Sequence, residues 1–122
     1  MLGEPSAAQL VESVALFLEK VAMPKLEGHG AFHGRVALNV LAIIQRELTD
    51  GPAAAEAERA RLKALIGHDG DLAFLRSALS AEIRAGAVDE TTPGLLEHLE
   101  RTAIDRVKIE QPNYGSLRRA GA

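Results

Sequence analysis

The fold is decided by residues 32–52, Phe32-His33-Gly34-Arg35-Val36-Ala37-Leu38-Asn39-Val40-Leu41-Ala42-Ile43-Ile44-Gln45-Arg46-Glu47-Leu48-Thr49-Asp50-Gly51-Pro52. Phe32, Val36, Val40, Ile43 and Ile44 recur at the steps that align side chains on one face of a helix, and Ala37, Leu41 and Leu48 widen that stripe. So broad a stripe predicts a helix buried on more than one side, the central element of a bundle. Asp50-Gly51-Pro52 predicts its end, because Gly suits the left-handed position after a helix and Pro resists continuation.

Outward from this segment the pattern stays helical. Ser6-Ala7-Ala8-Gln9 has the form of a capping box, and Leu10, Val14, Phe17, Leu18 and Val21 follow on one face until Pro24. Ala53 to Ile66 is rich in Ala, Glu and Arg, with high helix propensity, and ends at Gly67. His68-Asp69-Gly70-Asp71 reads as a tight turn whose last Asp caps a helix carrying Leu72, Leu75, Leu79 and Ile83 up to Gly86. Thr92 as N-cap with Pro93 at the first helical position opens a fifth stripe, Leu95, Leu96, Leu99, Ala103 and Val107, which Pro112 stops. No alternation lasts the length of a strand. The expectation is an all-α, single-domain, up-and-down bundle of about five helices with a long central second helix. The domain is expected to span residues 1–122, with its core at about 5–114 and a flexible tail at 115–122.

Composition narrows the function. The chain has 122 residues, 47% hydrophobic and 25% charged, which suits one folded domain. Lys and Arg number 14 against 17 for Asp and Glu, a formal net charge of −3, so a surplus of positive charge for nucleic acid is lacking. There is no Cys, which removes disulfides, thiolate nucleophiles and Cys-based zinc sites. Aromatic residues are 3%, leaving little to stack on a base or flavin. The apolar run Val36–Ile44 is interrupted by Asn39 and far short of a membrane span, and Met1-Leu2-Gly3-Glu4-Pro5 lacks a basic leader. A cytoplasmic protein that binds neither nucleic acid nor membrane is expected.

Three constellations carry chemical interest. His29 and His33 stand one helical turn apart, a spacing that can chelate a metal, with His68, Asp69 or Asp71 as a third ligand; the simpler reading has His29 capping or decorating a loop and His33 as a hydrogen-bonded, half-buried helix residue. His68-Asp69-Gly70-Asp71 opens like a calcium loop, yet helical pattern resumes at Leu72, so a turn and cap is preferred. Asn39 lies on or beside an apolar stripe, near Arg35 and His33, with Arg46 and Glu47 further along. A buried amide there needs partners, either a structural network or a polar pocket that His98 and Asp105 help to line. His33, Arg35, Asn39, His68 and His98 are therefore the candidate ligand-binding residues, and His29, His33 and His68 the candidate metal ligands. No nucleophile with its base, and no phosphate-cradling Gly-rich loop, is recognisable, so no catalytic residue or cofactor is expected.

Residues 32–41, with Gly67-His68-Asp69-Gly70-Asp71-Leu72, Ile83-Arg84-Ala85-Gly86 and Ile109-Glu110-Gln111-Pro112-Asn113-Tyr114, resemble a small bacterial family of uncharacterised all-helical domains. The resemblance runs from about Pro5 to Tyr114, with Gln111 where Asp or Asn is expected before the Pro. Members of that family look like proteins encoded beside, or fused to, aminoglycoside-phosphotransferase-like kinases and acyl-CoA dehydrogenases. The resemblance thus implies a non-enzymatic helical accessory or interaction module for such a kinase or dehydrogenase. The alternative is a small-molecule or metal-binding protein with a polar pocket around His33 and Asn39. A homo-oligomer is left open by both.

Overall fold

The structure, a computed structural model, describes residues 3–119, without the side chain of Arg118. The expectations that fall on Met1, Leu2 and residues 120–122 lie outside the described residues. Those described form helices and turns and no strand. The elements are α1 (Ala7–Phe17), α2 (Gly28–Ile66), α3 (Leu72–Arg84), α4 (Leu95–Glu110) and a single helical turn, α5 (Ser116–Arg119). The chain divides into two compact units, Met1–Gly51 and Pro52–Ala122, and α2 supplies residues to each.

The predicted break at Asp50-Gly51-Pro52 is absent. The expected second and third helices are one helix of 39 residues, so four long helices replace about five. Proline crowds the residue before it out of the helical region through that residue's Cβ, and Gly51 has none. Strong helix formers follow at once in Ala53-Ala54-Ala55, and the helix continues with Pro52 inside it.

In the first unit α1 opens on the capping box that the sequence predicts: Gln9 N–H donates to Ser6 Oγ (3.1 Å) and Ser6 N–H to Gln9 Oε1 (2.8 Å). α1 runs on through a wider π turn, Leu18–Ala22, and a 3-10 turn, Met23–Lys25, that contains Pro24. Of the expected face only Leu18 is half-buried. Large apolar Leu10, Val14, Phe17 and Val21 are exposed, and α1 buries no side chain fully. Its half-buried positions are Ala8, Val11, Ala15, Leu18 and Ala22. On α2 the half-buried positions include Gly30, Ala31, Ala37, Leu38 and Leu41, and Gly34 is buried. A Cβ at Gly34 would run into Met23 Sδ and stand 3.1 Å from Leu26 Cδ1, so glycine here permits close approach. The half-buried positions of this unit thus mix Ala and Gly with Val11, Leu18, Leu38, Leu41 and Ile43, and a further set of large side chains is left outside.

The second unit has a conventional core. Leu62, Leu75, Leu79, Val88 and Leu95 form one buried cluster, with Ile66 and Leu72 packed against it. Leu62 and Leu75 are wholly inaccessible, and each such burial stabilises by roughly 1.5–3 kcal/mol. α2 ends at Gly67, whose φ of 92° places it in the left-handed region. Asp71 caps α3 by accepting from Phe74 N–H at 2.8 Å. Thr92 is not the cap of α4: its Oγ1 accepts from Asp89 N–H, and Gly94, at φ 90°, holds the N-cap position. The buried face of α4 is Leu95, His98, Ile104 and Ile109, whereas Leu96 and Leu99, expected inside, are exposed. Leu117, in the residues expected to be a tail, is buried within the turn Ser116–Arg119.

Candidate functional site

The largest concentration of buried polar chemistry lies in the second unit, and its sequence basis is an acidic residue on an apolar face. Glu58 stands four residues before Leu62 on α2, on the side that enters the core. It is 7% exposed and holds Arg76 of α3 by two bonds of 2.7 Å, from Nε and Nη2 to its two oxygens. Such a bidentate pair satisfies a carboxylate that burial alone would penalise. The Arg76 bonds hold the Glu58 carboxyl below its ordinary range, against the opposing effect of burial.

One turn further along α2, Arg61 reaches α4. Its Nε donates to His98 Nδ1 at 3.0 Å and its Nη2 to Thr102 Oγ1 at 3.1 Å. His98 and Thr102 are a helical turn apart, so one guanidinium spans both. His98 is 3% exposed. Burial first, and then the neighbouring Arg61 charge, hold its pKa below the ordinary imidazole value, while Glu58 pulls weakly the other way. The ring accepts at Nδ1, which places the proton of the neutral imidazole on Nε2.

Beside this cluster lies a cleft of about 400 Å³, lined by Arg61, Glu97, Glu100, Arg101 and Ile104. Its wall carries both signs of charge. Both hydrogen bonds given for Arg61 end on neutral acceptors. Nδ1 of His98 and Oγ1 of Thr102 both accept from Arg61, which holds the two side chains in place at the edge of the cleft.

The sequence candidates are divided between the units. His29, His33, Arg35 and Asn39 all lie on α2 in the first unit, and all four are exposed. Asn39 is therefore no buried amide and needs no structural network. His29 and His33 do fall one turn apart on a continuous helix, and the His33 ring stands edge-on to Phe32, with centroids 5.5 Å apart. Among the described residues no three His, Asp or Glu side chains converge as metal ligands would. Exposed His68 leans on Phe74 at 5.8 Å, and its neighbour Asp69 is bonded by Gly70 N–H and by Arg59. That segment is the turn and cap the sequence predicts. His98 is the one candidate set in a buried polar cluster.

The residues missed are Glu58, Arg61, Arg76 and Thr102. Glu58 left a signal, a carboxylate in register with Leu62 and Leu65; Arg61 left none, being interleaved with charges that read as a solvated face.

No helix among the described residues is long and apolar enough to cross a membrane. No curated protein and no solved structure matches the chain. A family match does cover most of it, from Pro24 in the 3-10 turn through the whole of α2, α3 and α4, leaving α1 outside. On that match, over residues 24–114, the chain belongs to the family described as a domain of unknown function, DUF6285.

Proposed function

We propose that the protein is a non-enzymatic helical interaction module that works by offering the apolar face of its first unit to another helical surface. One observation carries this reading. Leu10, Val14 and Phe17 on α1, Val21 in the π turn after it, and Phe32, Val36, Val40, Ile44 and Leu48 on α2 are all 39–57% exposed. Scattered exposed leucines are ordinary, but a run of exposed large apolar side chains on each helix, with none buried among the unit's described residues, supports an interaction surface. The phosphotransferase-like kinase or acyl-CoA dehydrogenase implied by the resemblance is the kind of protein such a module would serve.

Purification at native level from the source cell, with Val36→Ser/Val40→Ser as the comparison, tests this reading. The wild type is expected to bring down a kinase or dehydrogenase in stoichiometric amount, and the variant to lose it while keeping its helical circular dichroism. Equal association by both proteins would overturn the proposal.

The alternative, a ligand pocket around His33 and Asn39, has weaker support, since both side chains are exposed on a helix. The Arg61–Arg101 cleft better suits a small molecule, and its mixed walls suit one carrying both a carboxylate and an ammonium group. A thermal shift with free amino acids that vanishes in Arg61→Gln supports this second reading, and no shift at millimolar ligand removes it.

A further inference from the structure

The cleft on the second unit has two walls. α4 supplies Glu97, Glu100, Arg101 and Ile104, which recur at the three- and four-residue steps of one helix face, and α2 supplies Arg61. No aromatic ring lines the space, so a base or a flavin has nothing to stack on, and a single isoleucine gives a fatty chain little cover. A volume of about 400 Å³ lies at the lower end of the range for small-molecule sites. What fits is a small polar ligand read by charge.

Arg61 is held there with its charge unspent. Arg59 and Arg76 also bond from one element to another, and both end on carboxylates, Asp69 and Glu58. Arg61 ends instead on a ring nitrogen and a hydroxyl. Those bonds use Nε and one hydrogen of Nη2, the side edge of the guanidinium. The end edge, Nη1 with the second hydrogen of Nη2, is left over, and such an edge grips a carboxylate by two parallel bonds. Glu58, the buried carboxylate on the same helix, gives both oxygens to Arg76. Among the described residues no Asp or Glu carboxylate stands within 4.0 Å of Arg61 or Arg101, although Glu97 lies one turn before Arg101 at a spacing that ordinarily pairs.

Two guanidiniums from different helices thus lack a counter-charge in the cleft. A phosphate would concentrate its charge at one point beside Glu97 and Glu100. Two separate carboxylates would take one arginine each, and an ammonium group would meet the glutamates. We infer that the cleft selects an acidic α-amino acid: Arg61 takes the α-carboxylate, Arg101 the side-chain carboxylate, and Glu97 and Glu100 the ammonium group. His98 and Thr102 are positioning residues, fixing the Arg61 fork before the ligand arrives. This selectivity rests on the reading of the cleft as a site for a molecule with a carboxylate and an ammonium group, and adds the second carboxylate.

Calorimetric titration of the full chain near neutral pH with L-glutamate, L-glutamine, glutarate and inorganic phosphate tests it. Glutamate is expected to bind about tenfold more tightly than glutamine, the factor one charge-assisted pair supplies. Arg101→Gln, at an exposed side chain, is expected to erase that preference and leave the helical circular dichroism unchanged. Thr102→Val is expected to weaken glutamate and glutamine by one common factor, on the order of threefold, and Thr102→Ser to restore both. Glutamine bound as tightly as glutamate overturns the inference and keeps the amino-acid reading. Glutarate bound as tightly as glutamate overturns both, since it carries no ammonium group, and so does an absence of binding by either amino acid at millimolar concentration. Phosphate bound more tightly than glutamate overturns the inference as well, making the cleft a general anion site. Affinities unmoved by Thr102→Val remove the positioning role.

Discussion

The two units treat the same kind of sequence in opposite ways. Both are amphipathic helices with Leu, Ile and Val at three- and four-residue steps, yet every buried apolar side chain among the described residues belongs to Pro52–Ala122. In the second unit a third helix closes over the stripes, and Leu62 and Leu75 vanish from solvent. In the first, Ala and Gly share the half-buried positions with Val11, Leu18, Leu38, Leu41 and Ile43, none of them fully buried, and a further set of large side chains remains outside. Periodicity marks a face of a helix; it does not state whether this chain buries it.

The strongest test of this contrast is truncation. Leu75→Ala is expected to destabilise the second unit by about 3 kcal/mol in urea denaturation, the usual range for a buried leucine. Leu10→Ala, at a side chain 56% exposed, is expected to change the denaturation midpoint of a diluted sample by less than about 0.5 kcal/mol. Comparable losses at both sites would erase the distinction between the units.

A smaller effect is expected from Arg76→Ala, which strands the buried Glu58 carboxylate. With the Arg76 side chain itself 58% exposed, the loss is expected near 2 kcal/mol, and adding Glu58→Gln should recover part of it. The Glu58 contribution is present above the ordinary carboxylate range and fades as pH falls below it, because its folded pKa is the lower one. Full additivity of the two substitutions in urea titrations would show that the pair does not act as one.

The helix caps extend the comparison. Asp71→Ala removes a cap next to the buried core and is expected to cost about 1 kcal/mol of global stability. Ser6→Ala removes an equally well-formed cap, but on an exposed helix, so its effect should appear as faster amide exchange in α1 with little change in the main unfolding transition. Equal effects on that transition would couple the two units more tightly than their burial indicates.

The mildest signal is the pH response of His98. Its folded pKa lies below that of the unfolded chain, so unfolding takes up a proton as pH falls through the ordinary imidazole range. Stability from this group is complete above that range and declines below it. His98→Gln is expected to flatten this part of the pH–stability curve, measured by thermal melts between pH 7.5 and about 5.5, around the imidazole range. An unchanged slope would place the titrating group elsewhere.

Local chemistry was legible where a few neighbouring residues decide it. Ser6 with Gln9, Asp71, Gly67 and Gly86 all mark ends found in the structure. Asp50-Gly51-Pro52 misled, because the glycine that looks like a terminator also relieves the crowding that makes proline one. α4 misled for a tertiary reason: His98 displaces Leu96 and Leu99 from the inner face, and its partner Arg61 lies 37 residues away. Polar clusters of this kind depend on which helices meet, which the order of residues in one helix does not contain. Asn39 misled in the reverse direction, since its neighbours on the stripe are themselves exposed.

Pro52 also bears on how the molecule comes apart. Lacking an N–H, it cannot bond the carbonyl of Leu48, so α2 loses a rung of its ladder at the residue where one unit gives way to the other. Helical order is propagated rung by rung, and a missing one weakens that propagation. Melting of either end therefore has a place to stop.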